Sequence, residues 1–571
     1  MSQTTPTPSA PWLKHYGTVP ARLDYFEGSM WDGVRAAAER YPNYVAFDFM
    51  GRSTTYRRFL ARVEECSRAL FAQGVRAGDR VTLCLPNCPQ AVILFYAVNR
   101  VGALSNMIHP LSSEKEIEFY LKEADSRFAV TLDQFYGKFA AVWENVNLSR
   151  LILTSVSDEL SPFVKVGYRL TEGRKIAPVP ADAPVLWWKD FLASGRNGND
   201  SCPALTSSDP AVILYSGGTT GVTKGILLSN GNFNALAQQV IATNPMFRPA
   251  DRMLAVMPIF HGFGLGVSIH SMLFYGGRCL LVPRFTVKSY AGLLKRGRCN
   301  FIAGVPSLFE ALLREPSMKG VDLSSLKGVF SGGDSLSVGL KRRFDAFLAE
   351  HHASVPIREG YGTTECVTAS CLTPVNTHRE GSIGIPFPDT YYKIVRPETE
   401  EEVPYGVEGE ICLAGPTVML GYWNRPDETA NTLRRHADGL AWVHTGDLGI
   451  MDEDGFVYFR QRLKRMIVTN GYNVYPSQIE NVFDSMPQVR ISCVIGVPDP
   501  LRMQAVKAFI VLKDGVLPTE ETKALLLEQC KKYVAKYALP RSIEFRDDLP
   551  KTLVGKVAYR QLEEEVQKEI E

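Results

Sequence analysis

The sequence predicts an α/β chain with mainly parallel strands, then a strand-rich stretch, and last a small α+β domain. Three observations carry this. Short apolar runs of about four to eight residues, each ending in Gly, Pro or Ser, alternate with helical patterns through the first two thirds. After about Glu380 the texture turns to strands and hairpin turns. A second shift after RQRLKRMI (460–467) opens a final stretch of a hundred or so residues, the size of a small domain.

In chain order, the Ser/Thr/Pro-rich first dozen residues predict an unfixed start. WDGVRAAAERY reads as an amphipathic helix, VTLCLP (81–86) as a buried strand, and AVILFYAVNRVGAL as a mostly apolar helix. AVILYS (211–216), RMLAVMP (252–258), GRCLLVP (277–283), NFIAGVP (300–306) and LKGVFSGG (326–333) read as strands buried on both faces. SVGLKRRFDAFLAEH is an amphipathic helix. KIVRP, GEICLAG and GFVYFRQR are strands, with Asp452 to Gly455 as a hairpin turn. ISCVIGVP and AVKAFIVLK, a charged helix around 519–536 and a last helix complete the chain. The expected division is a tail over 1–30, a large domain over 31–461 and a small one over 462–571.

Composition excludes several classes. At 571 residues the chain can bury more than one core. Its 63 basic and 61 acidic side chains leave a net charge of +2, without the basic patch of a nucleic-acid protein. The 45% hydrophobic content argues against disorder. Eleven scattered cysteines form no CxxC pair, so a zinc cage is not expected. The start lacks the pattern of a signal peptide, and no apolar run of about 18 residues can span a bilayer. These features predict a cytoplasmic protein whose cysteines pack as small hydrophobes.

The most informative stretch is YSGGTTGVTKG (215–225), which follows an apolar strand. Glycines at 217, 218 and 221 let backbone N–H groups turn toward an anion. Ser216, Thr219 and Thr220 add hydroxyl donors, and Lys224 adds charge. These are the parts of a phosphate cradle, though not of a Walker A loop, which needs Gly-Lys-Ser/Thr. A plain surface loop has the same composition.

The loop does not stand alone. PIFHGFG (258–264), SGGDSL (331–336), GYGTTE (360–365), GEICLAGPTVMLGYWNRP (409–426), HTGD (444–447), RLKRMI (462–467), NGYNVYPSQIE (470–480) and LPKTLVGK (549–556) follow in order. With this series the chain resembles the adenylate-forming superfamily of acyl-CoA synthetases, firefly luciferase and nonribosomal adenylation domains, from about Trp31 to Leu562. The Gly217-Gly218 form of the loop and the 438–480 segment look most like bacterial long-chain fatty acid–CoA ligases. The resemblance implies a large domain of two α/β layered subdomains plus a β-rich one, followed by a mobile α+β domain. It implies ATP and coenzyme A as substrates and Mg²⁺ as cofactor. A carboxylic acid attacks the α-phosphate of ATP to give acyl-AMP and pyrophosphate, and a thiol then displaces AMP.

By the same resemblance, Ser216, Gly217, Gly218, Thr219, Thr220, Gly221 and Lys224 hold the β- and γ-phosphates. Thr364 binds the α-phosphate and Glu365 holds Mg²⁺. Gly332, Gly333 and Asp334 line the adenine, with Tyr361 stacking on it beside Gly362. Asp447 takes the ribose hydroxyls, and Arg462 contacts ribose or phosphate. His261 orients the reacting acid rather than moving its proton, with Phe263 and Gly264 flanking the acyl channel. Lys556 bridges the charges that develop in adenylation, Lys551 being a solvated neighbour. Lys464 is the hinge, and Gly471 lies near the pantetheine tunnel. Thr223, Gly217, Gln461 and Arg465 depart from the family's common residues, the last two at the hinge.

The acid expected is a medium- or long-chain fatty acid, with an aromatic or other bulky acid as the alternative. MLFYGG (272–277), FIAGVPSLFEALL (301–313) and VTASCLTP (367–374) are tunnel candidates or ordinary core. Transfer to a carrier-protein thiol is a second alternative, and a non-catalytic adenylate sensor a third. Lys224, Glu365, Asp447 and Lys556 together argue against the sensor. A dehydrogenase lacks its GxGxxG and a serine hydrolase its GxSxG. No nucleic-acid partner is expected. Peripheral membrane contact and the choice between monomer and homodimer stay open at this level.

Overall fold

The computed structural model describes residues 8–198, 201–216, 223–469, 472–499, 503–552 and 556–570. Two large sheets form the body. The first runs in the order Gly421–Tyr422, Lys224–Ser229, Pro210–Ser216, Leu104–Met107, Arg80–Cys84, Phe128–Leu132, Arg150–Thr154, Val185–Trp187. From Pro210–Ser216 to Val185–Trp187 its neighbours are parallel, while Lys224–Ser229 folds back antiparallel. The second orders Ile385–Pro386, Cys371–Leu372, Ile357–Tyr361, Gly328–Ser331, Phe301–Gly304, Arg252–Ala255, Arg278–Leu281, Val45–Phe49 and Arg52–Thr55. Strands that read as unbroken apolar runs lie, as expected, inside these sheets, where both faces are covered.

One apolar cluster joins the two sheets through the helices Pro89–Val101 and Asn230–Ala242. Of the first helix only Arg100 escapes burial, which explains why its sequence shows no polar stripe. Ser229 caps the second helix by a reciprocal bond with Asn232.

A third, antiparallel sheet joins Tyr391–Val395, Gly409–Ala414, Ala441–Met451 and Leu433–Arg435, with Val457–Arg462 paired to Ala441–Met451. The N-terminus corrects one expectation. Pro11–His15 forms a short helix whose Trp12 is only 1% exposed, packed in this third sheet's core. Burying one large aromatic anchors a segment whose composition alone reads as loose.

The last sheet comprises Tyr472–Val474, Ile467–Thr469, Met503–Leu512, Val489–Asp499 and Ser542–Phe545. Helices Pro476–Asp484, Glu520–Cys530 and Tyr559–Ile570 accompany it, and it has its own core. The third sheet ends at Arg462 and this one begins at Ile467, with a single 3₁₀ turn, Leu463–Arg465, between them. The α/β class and the large-plus-small arrangement are as the sequence predicts.

Candidate active site

A cavity of about 670 Å³ opens where strands of the two large sheets end, at Ser216, Ser331 and Tyr361. Ligands of open α/β sheets bind at that edge. Its wall includes Lys224, His261, Phe263, Gly332, Gly333, Gly360, Tyr361, Gly362, Thr364, Glu365, Arg462 and Lys556. Residues separated by more than three hundred positions in sequence thus share one space. Gly217, Gly218, Thr219, Thr220, Gly221 and Gly471 lie outside the described residues, as does the side chain of Lys464.

Gly332 donates its N–H to the Gly304 carbonyl at 3.1 Å, turning the chain outward at the strand end. Gly333 follows at φ +82°, the left-handed region that favours glycine, and a Cβ there would stand 3.8 Å from Lys556 Cε. Asp334 is exposed, donating nothing to the wall; its carboxylate accepts from the Ser335 N–H at 2.9 Å.

HTGD is a braced turn. His444 Nδ1 lies 2.9 Å from Glu410 Oε2, and the other Glu410 oxygen accepts from the Gly446 N–H at 2.9 Å. Thr445 donates to the Ile411 carbonyl at 2.7 Å and accepts from the Asp447 N–H at 3.1 Å. Asp447 is thereby held with its carboxyl 2% exposed, behind Tyr361 and Arg462. The Tyr361 hydroxyl donates to Oδ2 at 2.6 Å. Arg462 is its cross-strand partner, with Nε 3.3 Å from Oδ1, an oxygen that has no hydrogen bond among the described residues. Burial raises the Asp447 carboxyl above its ordinary value against the opposing pull of Arg462. Burial raises the Tyr361 phenol as well.

Thr364–Cys366 is a single helical turn. Glu365 Oε1 accepts from the Tyr422 hydroxyl at 2.7 Å, and the Glu365 carbonyl accepts from the Met419 N–H at 2.8 Å. Lys224 pairs with Glu428 and lies 4.8 Å from the centre of the Tyr422 ring. The sequence contains no local signal for the Glu428 partnership. Tyr422 sat within a recognised motif without an assigned role.

His261 opens a turn that leads into a π-helical segment, Phe263–His270, a geometry frequent at functional positions. Its Nδ1 accepts from the Phe263 N–H at 3.2 Å, which leaves the proton of the neutral ring on Nε2. Burial, with Lys556 nearby, lowers the imidazole to about 4. The ring is therefore neutral near pH 7 and suits orienting a carboxylate. Phe263 lines the cavity. Gly264 is buried against the chain instead, a Cβ there falling 2.1 Å from the Pro258 carbonyl oxygen.

Lys556 reaches the cavity from the last domain, its backbone held by two bonds with Thr552. Burial lowers its ammonium below the usual lysine value, with Asp334 opposing that shift, Arg462 adding to it and Asp447 opposing it. Lys551 instead points to Asp548 at 3.4 Å, on the surface. Arg465 pairs with Glu480 and lies 4.7 Å from the centre of the Tyr559 ring, tying the linker turn into the last domain. Gln461 is buried, and neither of its amide atoms has a hydrogen-bond partner among the described residues.

Of the tunnel candidates, Thr368, Ala369, Cys371 and Leu372 line the cavity. Met272 and Leu273, like Phe301 and Ile302, are core, because their elements turn them between the layers. Among the described residues no helix is long and apolar enough to cross a membrane.

Residues 34–423 match the AMP-binding enzyme family and residues 478–556 the AMP-binding enzyme C-terminal domain. A long-chain-fatty-acid–CoA ligase of Bacillus subtilis (strain 168) is 34% identical over 565 residues, covering 97% of this chain and 98% of that protein. One of Yersinia pestis is 35% identical over 568 residues, with the same coverage. The ATP-bound crystal structure of MatB from Rhodopseudomonas palustris superposes with a TM-score of 0.82 at 26% identity, covering 96% of this chain and all of that one. With both domain matches and near full-length relatives, the chain belongs to the AMP-binding, adenylate-forming enzyme family.

Proposed function

We propose that the protein is an AMP-forming acid–thiol ligase that activates a fatty acid with ATP and passes the acyl group to coenzyme A. The observation that carries this is the meeting of Lys556, His261, Thr364, Glu365 and the Tyr361–Asp447–Arg462 set around one cavity. Near full-length likeness to fatty-acid ligases supports the substrate class.

In the first step a carboxylate oxygen attacks the α-phosphorus and pyrophosphate leaves. Two anions must meet, so the protein supplies positioning and fixed positive charge. Lys556 meets the negative charge on the incoming oxygen and phosphate; Thr364 holds the α-phosphate; His261 donates Nε2–H to the acid. Asp447 Oδ1 accepts a ribose hydroxyl, and Tyr361 stacks on the base. Lys224 turns to the outer phosphates. The Glu365 carboxylate, on the cavity wall with Thr364, is a hard oxygen ligand of the kind Mg²⁺ takes, and the ion, when bound, would neutralise phosphate charge. The 462–571 unit then rotates about Lys464, and the coenzyme A thiol attacks the acyl carbon, expelling AMP. The mostly buried cysteines suit a reducing cytoplasm and none is needed as nucleophile.

The test is a panel of carboxylic acids incubated with ATP and magnesium, scored for pyrophosphate and AMP, with and without coenzyme A. Fatty acids should release pyrophosphate and yield thioester only when coenzyme A is added. No pyrophosphate with any acid would refute the assignment.

A further inference from the structure

A buried cation lies behind one wall of the cavity. Along the strand Ile357–Tyr361, side chains alternate between faces. Ile357 packs into the core behind the sheet, whereas Gly360 lines the cavity. Arg358 shares the face of Gly360, two residues and about 7 Å deeper. Gly360 leaves that face open on the cavity wall, while Arg358 is buried behind it.

The guanidinium is fixed there. Nη1 donates to Asn244 Oδ1 at 2.7 Å, Nε to the Thr373 carbonyl at 2.7 Å and Nη2 to the Thr243 carbonyl at 3.3 Å. Thr243 caps the C-terminal end of helix Asn230–Ala242, whose dipole favours a cation. The guanidinium carbon lies 5.7 Å from the centre of the Phe330 ring, and Arg358 is 7% exposed. Among the described residues it has no carboxylate partner. Asn244 is itself locked, its Nδ2 donating to the Val240 carbonyl at 2.6 Å. Val240, Asn244, Phe330 and Leu372 line the cavity, and Arg358 stands directly behind that wall, bonded to Asn244.

We propose that Arg358, held by Asn244, Thr243 and Thr373 behind the cavity wall, is the stop of the acyl arm and sets an upper length limit on unbranched acids. A methyl end reaching it would have to displace a hydrogen-bonded, buried cation, whereas each methylene short of it is buried with gain. The inference rests on the acyl-activating reading and narrows its substrate.

The experiment measures kcat/KM for saturated acids of stepwise increasing length, with the wild type, Arg358→Ala and Asn244→Ala. The readout is the position of the optimum, normalised within each protein, which a general loss of stability does not move. The wild type should peak and then fall. Both variants should peak at longer acids, and two newly accommodated methylenes are worth about a tenfold gain with the longer acid. A wild-type rate that stays level through the longest acids overturns the stop, as do variants that keep the wild-type optimum. If Arg358→Ala does not fold, Asn244→Ala decides. Failure to release pyrophosphate with any acid would instead strike the ligase assignment; release with an unshifted profile strikes only the stop.

Discussion

Glu359 lies beside Arg358 in sequence but on the opposite face, where burial pushes its carboxyl up to about 8 and the Leu336 N–H donates to Oε1 at 3.0 Å. An unfolded glutamate titrates near 4.3, so between about 4.3 and 8 the folded state binds the extra proton. Its contribution to stability is full below about 4.3 and is lost as pH rises through 8. Glu359→Gln keeps the shape and removes the titration. Its melting temperature should gain on the wild type steadily from pH 5 to pH 8; a difference constant across that range would place the proton elsewhere. His261 shows the other sign of the same physics, since burial favours the neutral form of an imidazole and of a carboxyl alike.

At the level of elements, the turn after GYGTTE packs against the loop that carries His261. Val367 takes φ +65°, ψ −56°, closed by the Thr368 N–H donating to the Cys366 carbonyl at 2.8 Å. This is the rare, strained hand of the three-residue γ-turn, on a β-branched residue. Gly262, next to His261, sits against it: a Cβ there would stand 1.7 Å from the Val367 carbonyl oxygen. Neither backbone can yield cheaply. Gly262→Ala should cost about 1–3 kcal/mol of stability by overpacking. It should also raise KM for the acid more than KM for ATP. Equal effects on both substrates would mean that the contact is only structural. The motif PIFHGFG thus joins the His261 imidazole to the glycine that lets its loop approach the neighbouring turn.

For the whole molecule, the adenylation proposed above requires two units to meet, because Lys556 belongs to the last sheet's domain and its cavity to the body. Lys556→Ala should slow ATP–pyrophosphate exchange by about 10²- to 10³-fold, the cost of removing one preorganised charge. Thiolysis of supplied acyl-adenylate should survive. Lys464→Pro, which fixes φ within the Leu463–Arg465 turn, should instead spare exchange and impair thioester formation. Loss of both half-reactions in either variant would break the division of labour between the two domains.

How much of this was legible without coordinates follows from range. Strand and helix periods, the hairpin at Asp452 to Gly455 and the ordered motifs depend on neighbours a few residues apart, and these set the fold class and the motif residues. The tertiary structure decided what meets across long separations. Lys224 finds Glu428, 204 positions on, and Arg358 finds Asn244, 114 positions away. Trp12 is anchored in a sheet whose turn follows some 440 residues later, so its polar, proline-rich setting misleads. Local sequence carries propensity and period. Partnership between distant side chains, and with it burial, charge and the length of the acyl arm, arises only when packing brings them together.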